Sequence, residues 1–79
     1  MYYIYVIKSI QHDFYYKSHC ENLEKRLSEH NKGSTISIKP YLPFEIVYFE
    51  IFNTREEAIT REKYFKTAAG RRFLKNKLQ

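Results

Sequence analysis

The sequence has few residues that form disulfides or interrupt helices and strands: it contains one cysteine, Cys20, two glycines and two prolines in 79 residues. It also lacks tryptophan. A single cysteine excludes an internal disulfide and argues against a secreted, disulfide-rich scaffold. So little glycine and proline, beside 43% hydrophobic residues, is not the composition of a disordered chain. No apolar run approaches the roughly 20 residues of a membrane span, and the first residues do not resemble a signal peptide. We therefore expect a soluble, cytoplasmic protein with no membrane partner.

Aromatic residues and positive charge are what the sequence has in abundance. Eight tyrosines and six phenylalanines supply a large buried area per residue, which suits the small core of one domain spanning residues 1–79. Fourteen Lys and Arg against nine Asp and Glu give a formal charge of +5. Such a surface attracts polyanions, nucleic acid before anionic membrane, although a general solubilising charge is the alternative interpretation.

Hydrophobic patterning predicts three strands. Residues 2–7 are apolar on both alternating faces, which is typical of a central strand covered on both sides. Residues 14–17 follow after a short turn, so the two strands should form an antiparallel hairpin. Residues 45–52 form the third strand, after a loop over residues 33–43.

Capping residues predict the helices. The first helix is capped by Ser18 or by Asn22, between which the sequence does not choose, and it ends at residues 31–33, where Gly33 is a natural left-handed cap. Thr54 and Glu57 form a capping box for a second helix, which the pair at 69–70 interrupts before a short basic helix over residues 71–77, packed through residues 73 and 74. The expected fold class is α+β, a three-stranded, mostly antiparallel sheet flanked by helices in the order β-β-α-β-α-α.

One acidic residue lies on an apolar helix face. At about 100° per residue, Glu62 projects between Ala58, Ile59 and Phe65. A carboxylate on a packing face is costly unless a cation meets it. An ion pair with a lysine or arginine is one interpretation and a metal ligand is the other. The pattern alone slightly favours the ion pair.

The first helix shows a similar irregularity. His30 shares the face of Leu23 and Leu27, and Arg26 borders it. Arg26 and His30 are i, i+4 neighbours, so their side chains can reach one point in space. Arginine suits bidentate phosphate binding, and histidine can move a proton near neutral pH. A lone helical histidine is more often structural, but this one is paired with an arginine.

Tyr5 and Tyr16 fall on the two strands of the predicted hairpin. Tyrosines of small domains are usually core residues with a hydrogen-bonded hydroxyl, although a phenol can also act as a general acid or base. With Arg26, His30 and Glu62 they form a set suited to phosphodiester cleavage. The glutamate would hold a divalent ion, the arginine would neutralise the phosphate, and a phenol or imidazole would help to activate water.

Several segments, taken in order, resemble the GIY-YIG nuclease superfamily, and most of all its small stand-alone members. Tyr3-Ile4-Tyr5 stands where the family has Gly-Ile-Tyr, and Tyr16-Lys17-Ser18 stands where it has Tyr-Ile-Gly. Residues 22–31 are similar to the family's first helix, with its arginine and following histidine. Residues 43–50 and 58–66 are similar to its third strand and to the helix that carries its metal-binding glutamate.

The resemblance implies a metal-dependent endonuclease that hydrolyses DNA phosphodiester bonds. It implies one Mg²⁺ or Mn²⁺ held by Glu62, with water completing the coordination shell. It gives Tyr5 a role in activating the attacking water, together with His30, and gives Tyr16 a role in positioning water or phosphate. Arg26 would stabilise the charge that develops on the phosphate.

Three residues depart from the family motifs and keep other functions open. Tyr3 and Ser18 replace motif glycines, and Lys17 replaces an apolar residue. Ser18 is the basis of a second hypothesis, in which the chain keeps the fold and binds nucleic acid with weak turnover or none. A third hypothesis is a basic module that docks an acidic protein.

The basic residues outside these motifs are expected to hold DNA through its backbone phosphates rather than to read bases. A protein partner would then supply specificity. The predicted contacts are Lys17, Lys32, Lys39, Arg71, Arg72 and Lys75.

Overall fold

The computed structural model describes residues 1–78, so that Gln79, the last residue of the predicted domain, lies outside the described residues. The elements in chain order are β1 (Tyr2–Ser9), β2 (Tyr15–Cys20), α1 (Leu23–Asn31), a 3₁₀ helix (Ile36–Tyr41), β3 (Phe44–Phe52), α2 (Arg55–Phe65) and α3 (Ala68–Lys77). The strands form one antiparallel sheet in the order β2-β1-β3. The predicted fold class is confirmed, and the 3₁₀ helix lies within the predicted loop. Over the described residues, no helix has the length and apolar character needed to cross a membrane.

Strand β1 is the central strand and is covered on both faces, as its apolar pattern predicts. Ile4 and Val6 pack against α2 and α3, whereas Tyr5 and Ile7 pack against α1 and the 3₁₀ helix. None of the four is more than 2% exposed. The sheet therefore separates two small cores, and a side chain's face decides which helices it meets.

Strand β2 is longer than predicted. It runs over Tyr15–Cys20 rather than over residues 14–17. Its register places Ser18 opposite Tyr5 and His19 opposite Ile4. Because directly opposed residues share a face, Ser18 lies on the α1 side of the sheet and His19 lies on the α2 side.

The caps fix where the helices begin and end. Asn22 is the cap of α1, since its side chain accepts a hydrogen bond from the Lys25 backbone N–H at 3.0 Å. Gly33 follows α1 with a φ of +84°, the left-handed conformation predicted for it. The predicted capping box of Thr54 and Glu57 starts α2.

The predicted helix break at residues 69–70 is wrong. The break falls at residues 66–67, and Gly70 lies inside α3, fully within the fold. A Cβ atom on Gly70 would lie 2.0 Å from the backbone oxygen of Tyr64. The glycine is therefore there for close packing of α3 on the end of α2, and not to end a helix. Leu74, a predicted packing residue, is 5% exposed.

Candidate active site

A buried hydrogen-bonded chain joins the central strand to α1. The Tyr5 hydroxyl lies 2.8 Å from Nε2 of His30, and Nδ1 of His30 lies 3.1 Å from Oγ1 of Thr35. His30 is 0% exposed. We assign the Tyr5 phenol as the donor to Nε2 and the Nδ1–H group as the donor to Thr35, which is one of the two neutral tautomers that satisfy both contacts, because a hydroxyl can donate or accept.

The electrostatics of this chain agree with the assignment. Burial raises the pKa of Tyr5 to about 12, although the Arg26 guanidinium partly opposes the shift. Burial, and then the charge of Arg26, lower the pKa of His30. At neutral pH the phenol is therefore protonated and the imidazole is neutral, with one unprotonated ring nitrogen, although both pKa shifts oppose net transfer of the phenolic proton to His30.

The end of α1 is fastened so that His30 faces the sheet. The Asn31 side chain donates to the Phe44 carbonyl oxygen at 3.1 Å and accepts from the Phe44 N–H at 2.7 Å. This pair of bonds resembles one rung of a β ladder and ties the last turn of α1 to the start of β3. The two hydrogen bonds of Asn31 thus hold the neighbouring His30 against the sheet.

Two further predicted residues lie beside this chain. The Arg26 guanidinium is close enough to the Tyr5 hydroxyl to influence its pKa, and its Nη1 donates to Oε1 of Glu29 at 2.9 Å. The Tyr16 ring meets the His30 ring edge to face, with centroids 5.4 Å apart. The structure thus brings Tyr5, Tyr16, Arg26 and His30 together on the α1 side of the sheet.

Glu62 lies on the opposite side of the sheet. Its Oε1 is 2.7 Å from Nδ1 of His19, and its Oε2 accepts from Nζ of Lys66 at 3.0 Å. Burial alone would raise the pKa of Glu62, but the hydrogen bonds with His19 and Lys66 outweigh it and lower the pKa. The carboxylate is therefore ionised at neutral pH. The contact with Lys66 is the ion pair that one interpretation of the sequence expected.

Helix α2 is anchored to β3 next to Glu62. The Arg61 guanidinium makes a two-pronged ion pair with Glu50, at 2.8 and 3.1 Å, and lies 4.8 Å from the Phe65 ring centroid and 5.0 Å from that of Phe73. Planar arginine pairs of this kind restrict both side chains. The rotation of α2, and with it the direction of Glu62, is fixed by this contact.

His19 is the neighbour of Glu62 that sequence reasoning missed. The predicted second strand stopped at residue 17, so the prediction did not assign residue 19 to either face of the sheet. Continuing the strand by three residues gives the alternation that directs Lys17 and His19 toward α2. The alternation that places residue 19 could be found in the sequence, but the polar residues Lys17 and Ser18 inside the strand led to the prediction of a strand that was too short.

A shallow pocket of about 490 Å³ at the edge of the sheet connects the two sides. Arg26 lines it from the Tyr5 side, and His19, the partner of Glu62, lines it from the other side; the further lining residues are Tyr2, Ser18, Cys20, Glu21 and Arg55. Tyr5 is 2% exposed, and Arg26 and Ser18, which line the pocket, are close enough to its hydroxyl to oppose the rise in its pKa. A phosphate in this pocket would meet Arg26 directly and the Tyr5 hydroxyl only after these two side chains move.

Ser18 has no need of a glycine's backbone freedom. It lies within β2, and no residue other than glycine has a positive φ among residues 1–78. What the serine adds is a side chain beside the Tyr5 hydroxyl. Its effect on the site is therefore one of access and hydrogen bonding.

The fit of a divalent ion can be tested on Glu62. Within the described part of the chain, no three His, Cys, Asp or Glu side chains form a group that could hold a metal. Mg²⁺ commonly binds through one or two carboxylates, with waters and substrate phosphates completing its shell. A single ionised, partly exposed carboxylate meets that minimum, provided that an oxygen is released by His19 or Lys66.

The predicted nucleic-acid contacts separate into groups. Lys17, Arg71 and Lys75 line one pocket between β2 and α3. Lys32 and Lys39 are exposed on the α1 side, where the Lys39 side chain lies against Gly33. Arg72 is exposed on α3.

Comparisons with known proteins agree on one family. The family model described as the GIY-YIG catalytic domain matches residues 1–78. A UPF0213 protein of Staphylococcus saprophyticus is 35% identical over 74 residues, which cover 92% of this chain and 89% of the relative. A UPF0213 protein of Clostridium perfringens is 37% identical over 67 residues, with 84% and 71% covered. One of Streptococcus pyogenes is 34% identical over 65 residues, with 81% and 70% covered. The search of solved structures found no significant match.

Proposed function

The chain belongs to the GIY-YIG catalytic domain family, and from that premise we propose that it is a metal-dependent endonuclease hydrolysing DNA phosphodiester bonds. The observation that carries the proposal is the buried pair of Tyr5 and His30, 2.8 Å apart, beside Arg26. A structural tyrosine needs a hydrogen-bond partner, but it does not need a neutral imidazole as acceptor and a guanidinium as neighbour. That combination suits proton transfer next to a phosphate.

The proposed chemistry consists of two linked proton transfers through this pair. Water attacks the phosphorus atom and loses a proton to the Tyr5 oxygen, while the phenolic proton passes to Nε2 of His30. Thr35 accepts from Nδ1 and so orients the ring. The bond from phosphorus to the leaving oxygen breaks, the leaving oxygen takes up a proton from solvent, and His30 returns its extra proton to solvent. Arg26 neutralises the charge that builds up on the phosphoryl oxygens. Tyr16 packs against His30 and keeps the imidazole in place.

Substrate entry exposes the phenol in this proposal. Arg26 exchanges Glu29 for the phosphate, a stronger anion for a guanidinium. Its movement opens the wall between the pocket and Tyr5. Ser18 then forms the remaining part of that wall, so a serine at this position slows the reaction without preventing folding.

Glu62 is the proposed holder of one Mg²⁺ or Mn²⁺. A divalent ion there supplies positive charge to the phosphate and to the leaving oxygen. His19 and Lys66 keep the carboxylate ionised, which is the form that binds a cation. Releasing Oε1 from His19 frees a ligand position next to the pocket.

The proposed substrate is DNA held by its backbone phosphates. The formal charge of +5 favours such binding, and it carries no sequence information. A protein partner would therefore supply specificity. Residues 1–79 would act as one domain, in the cytoplasm.

The test is cleavage of labelled duplex, branched and single-stranded DNA with Mg²⁺ or Mn²⁺, and the same reactions with a chelator. Glu62→Gln keeps the size of the side chain and removes its charge, so we expect cleavage to fall by about 10² to 10³. Glu56→Gln, at an exposed position of the same helix, is the matched control and should cleave normally. Equal cleavage by both variants would contradict the role of Glu62.

A second function is favoured by the occupied carboxylate and the buried phenol. Both oxygens of Glu62 are hydrogen-bonded, and Tyr5 is 2% exposed. Both facts also suit a domain that binds nucleic acid without cleaving it. Salt-sensitive DNA binding with no metal-dependent cleavage by the wild type, and unchanged binding in Glu62→Gln, would support this function over the first.

A further inference from the structure

A second pocket lies away from the candidate active site, between the β1–β2 hairpin and α3. Its volume is about 440 Å³, within the range of about 300 to 1,000 Å³ common for small-molecule sites. Lys17, Arg71 and Lys75 line it from two elements, and Val6 and Leu74 form its apolar floor. The proton-transfer chain described above has no member in this pocket.

The basic residues of the pocket form a concentration of charge that the pocket's own carboxylate neutralises only in part. Among residues 1–78, the ion pairs of lysine and arginine involve positions 26, 61 and 66, and not the three pocket cations. Three cations and one lining carboxylate, Asp13, leave a net +2. Burial, followed by the charges of Arg71 and Lys66, lowers the pKa of Lys17. Bringing like charges together costs stability, and an anion would offset that cost.

Lys17 lies between the pocket and the end of α2. Its Cα is paired with that of Val6 in the sheet, and its Nζ is 3.5 Å from the Phe65 carbonyl oxygen, at the long limit of a hydrogen bond. These contacts place its amino group at the pocket wall. Surface lysines that merely aid solubility keep their side-chain freedom.

The remaining walls suit a flat, partly apolar group attached to the anion. Tyr15 lines the pocket on β2 beside the floor of Val6 and Leu74 and is 38% exposed, and Nζ of Lys8 lies 5.8 Å from its ring centroid. Aromatic side chains bind nucleobases by stacking, with little dependence on sequence. A bare phosphate would use the cations and leave the apolar half of the pocket unfilled.

We propose that this pocket binds one nucleotide, with its phosphate between Lys17, Arg71 and Lys75 and its base against Tyr15 and the apolar floor. The choice of a nucleotide among phosphate esters rests on the proposed function. Lys17 and His19 share a face of β2 and are two residues apart, which is about 7 Å. A DNA strand in this pocket therefore continues along β2 toward Glu62, and the pocket determines which phosphate reaches the active site.

Binding without cleavage tests the pocket separately from the nuclease. Thymidine 5′-monophosphate, thymidine and inorganic phosphate are titrated without metal into isotope-labelled protein, and amide shifts are followed by NMR. Arg71→Gln is compared with Lys77→Gln, because both residues are exposed on α3 and only Arg71 lines the pocket. The spectra also report whether each variant is folded.

The nucleotide should shift amides of β2 and α3 around the pocket and bind more tightly than either of its parts. Arg71→Gln should weaken it by about tenfold, as expected for loss of one charged hydrogen bond, and Lys77→Gln should leave it unchanged. Equal weakening in both variants, phosphate binding as tight as nucleotide binding, or shifts confined to the Arg26 pocket would each overturn the proposal. Because no cleavage is measured, an inactive enzyme that binds nucleotide here would refute the proposed function alone.

Discussion

Replacing His30 should remove a specific sensitivity to mild acid. His30 is 0% exposed, and its two ring nitrogens are hydrogen-bonded in the neutral form. Burial, and then the charge of Arg26, lower its pKa. In the unfolded chain the same group titrates near the ordinary histidine value of about 6.5. His30→Gln keeps an acceptor for the Tyr5 hydroxyl and removes the titration.

The sign and size of the effect follow from linkage. Because the folded-state pKa is the lower of the two, the unfolded state binds the proton first as the pH falls. The free energy of unfolding is then at its full value above about pH 6.5 and decreases below it, down to the folded-state pKa. One proton gives at most about 1.4 kcal/mol per pH unit. For a chain of this length, 1 kcal/mol corresponds to roughly 4 to 8 °C in Tm.

The assay is urea unfolding followed by circular dichroism at half-unit steps from pH 7.5 to 5.5. The wild type should lose stability below about pH 6.5, and His30→Gln should show a flatter profile. His12→Gln, at an exposed position, is the control and should follow the wild type. Parallel profiles for wild type and His30→Gln would refute the neutral, buried assignment, and with it the proton path of the proposed mechanism.

Two further substitutions test the packing and the pocket wall. Gly70→Ala should destabilise the fold by about 1 to 3 kcal/mol in thermal unfolding, because the new Cβ would lie 2.0 Å from the Tyr64 backbone oxygen. Helix propensity alone predicts the opposite, a gain of roughly 1 kcal/mol. A rise in Tm would therefore contradict the close contact. Ser18→Gly should cost no more than about 1 kcal/mol and should raise the rate of DNA cleavage by uncovering Tyr5; an unchanged rate would show that the serine does not limit access.

Periodicity and caps were enough to predict the fold class from the sequence. The two apolar faces of residues 2–7 indicated a covered central strand, and the capping box at Thr54 gave the start of α2. The error at Gly70 has a physical origin. Glycine ends many helices, and only the position of Tyr64 in three dimensions shows that this one is required for close packing.

The candidate site could be predicted in part. Arg26 and His30 were visible because they are one helical turn apart on a face shared with leucines, and the hairpin brought the tyrosines near them. The contact between Glu62 and the sheet depends on which face of β2 carries His19. That face follows from the register of β2, and the register could be assigned only with the full length of the strand. His19 was missed for the same reason.

The covering of β1 has a consequence for the order of events during folding. Ile4 and Leu74 belong to one core, yet 70 positions of chain separate them. During synthesis β1 is made before α2 and α3, and one face of this central strand is not fully covered until α3 is available. Contacts so distant in sequence slow folding and leave apolar strand surface open to aggregation in the meantime. A chain in which α3 has not yet docked therefore exposes part of the apolar face of β1.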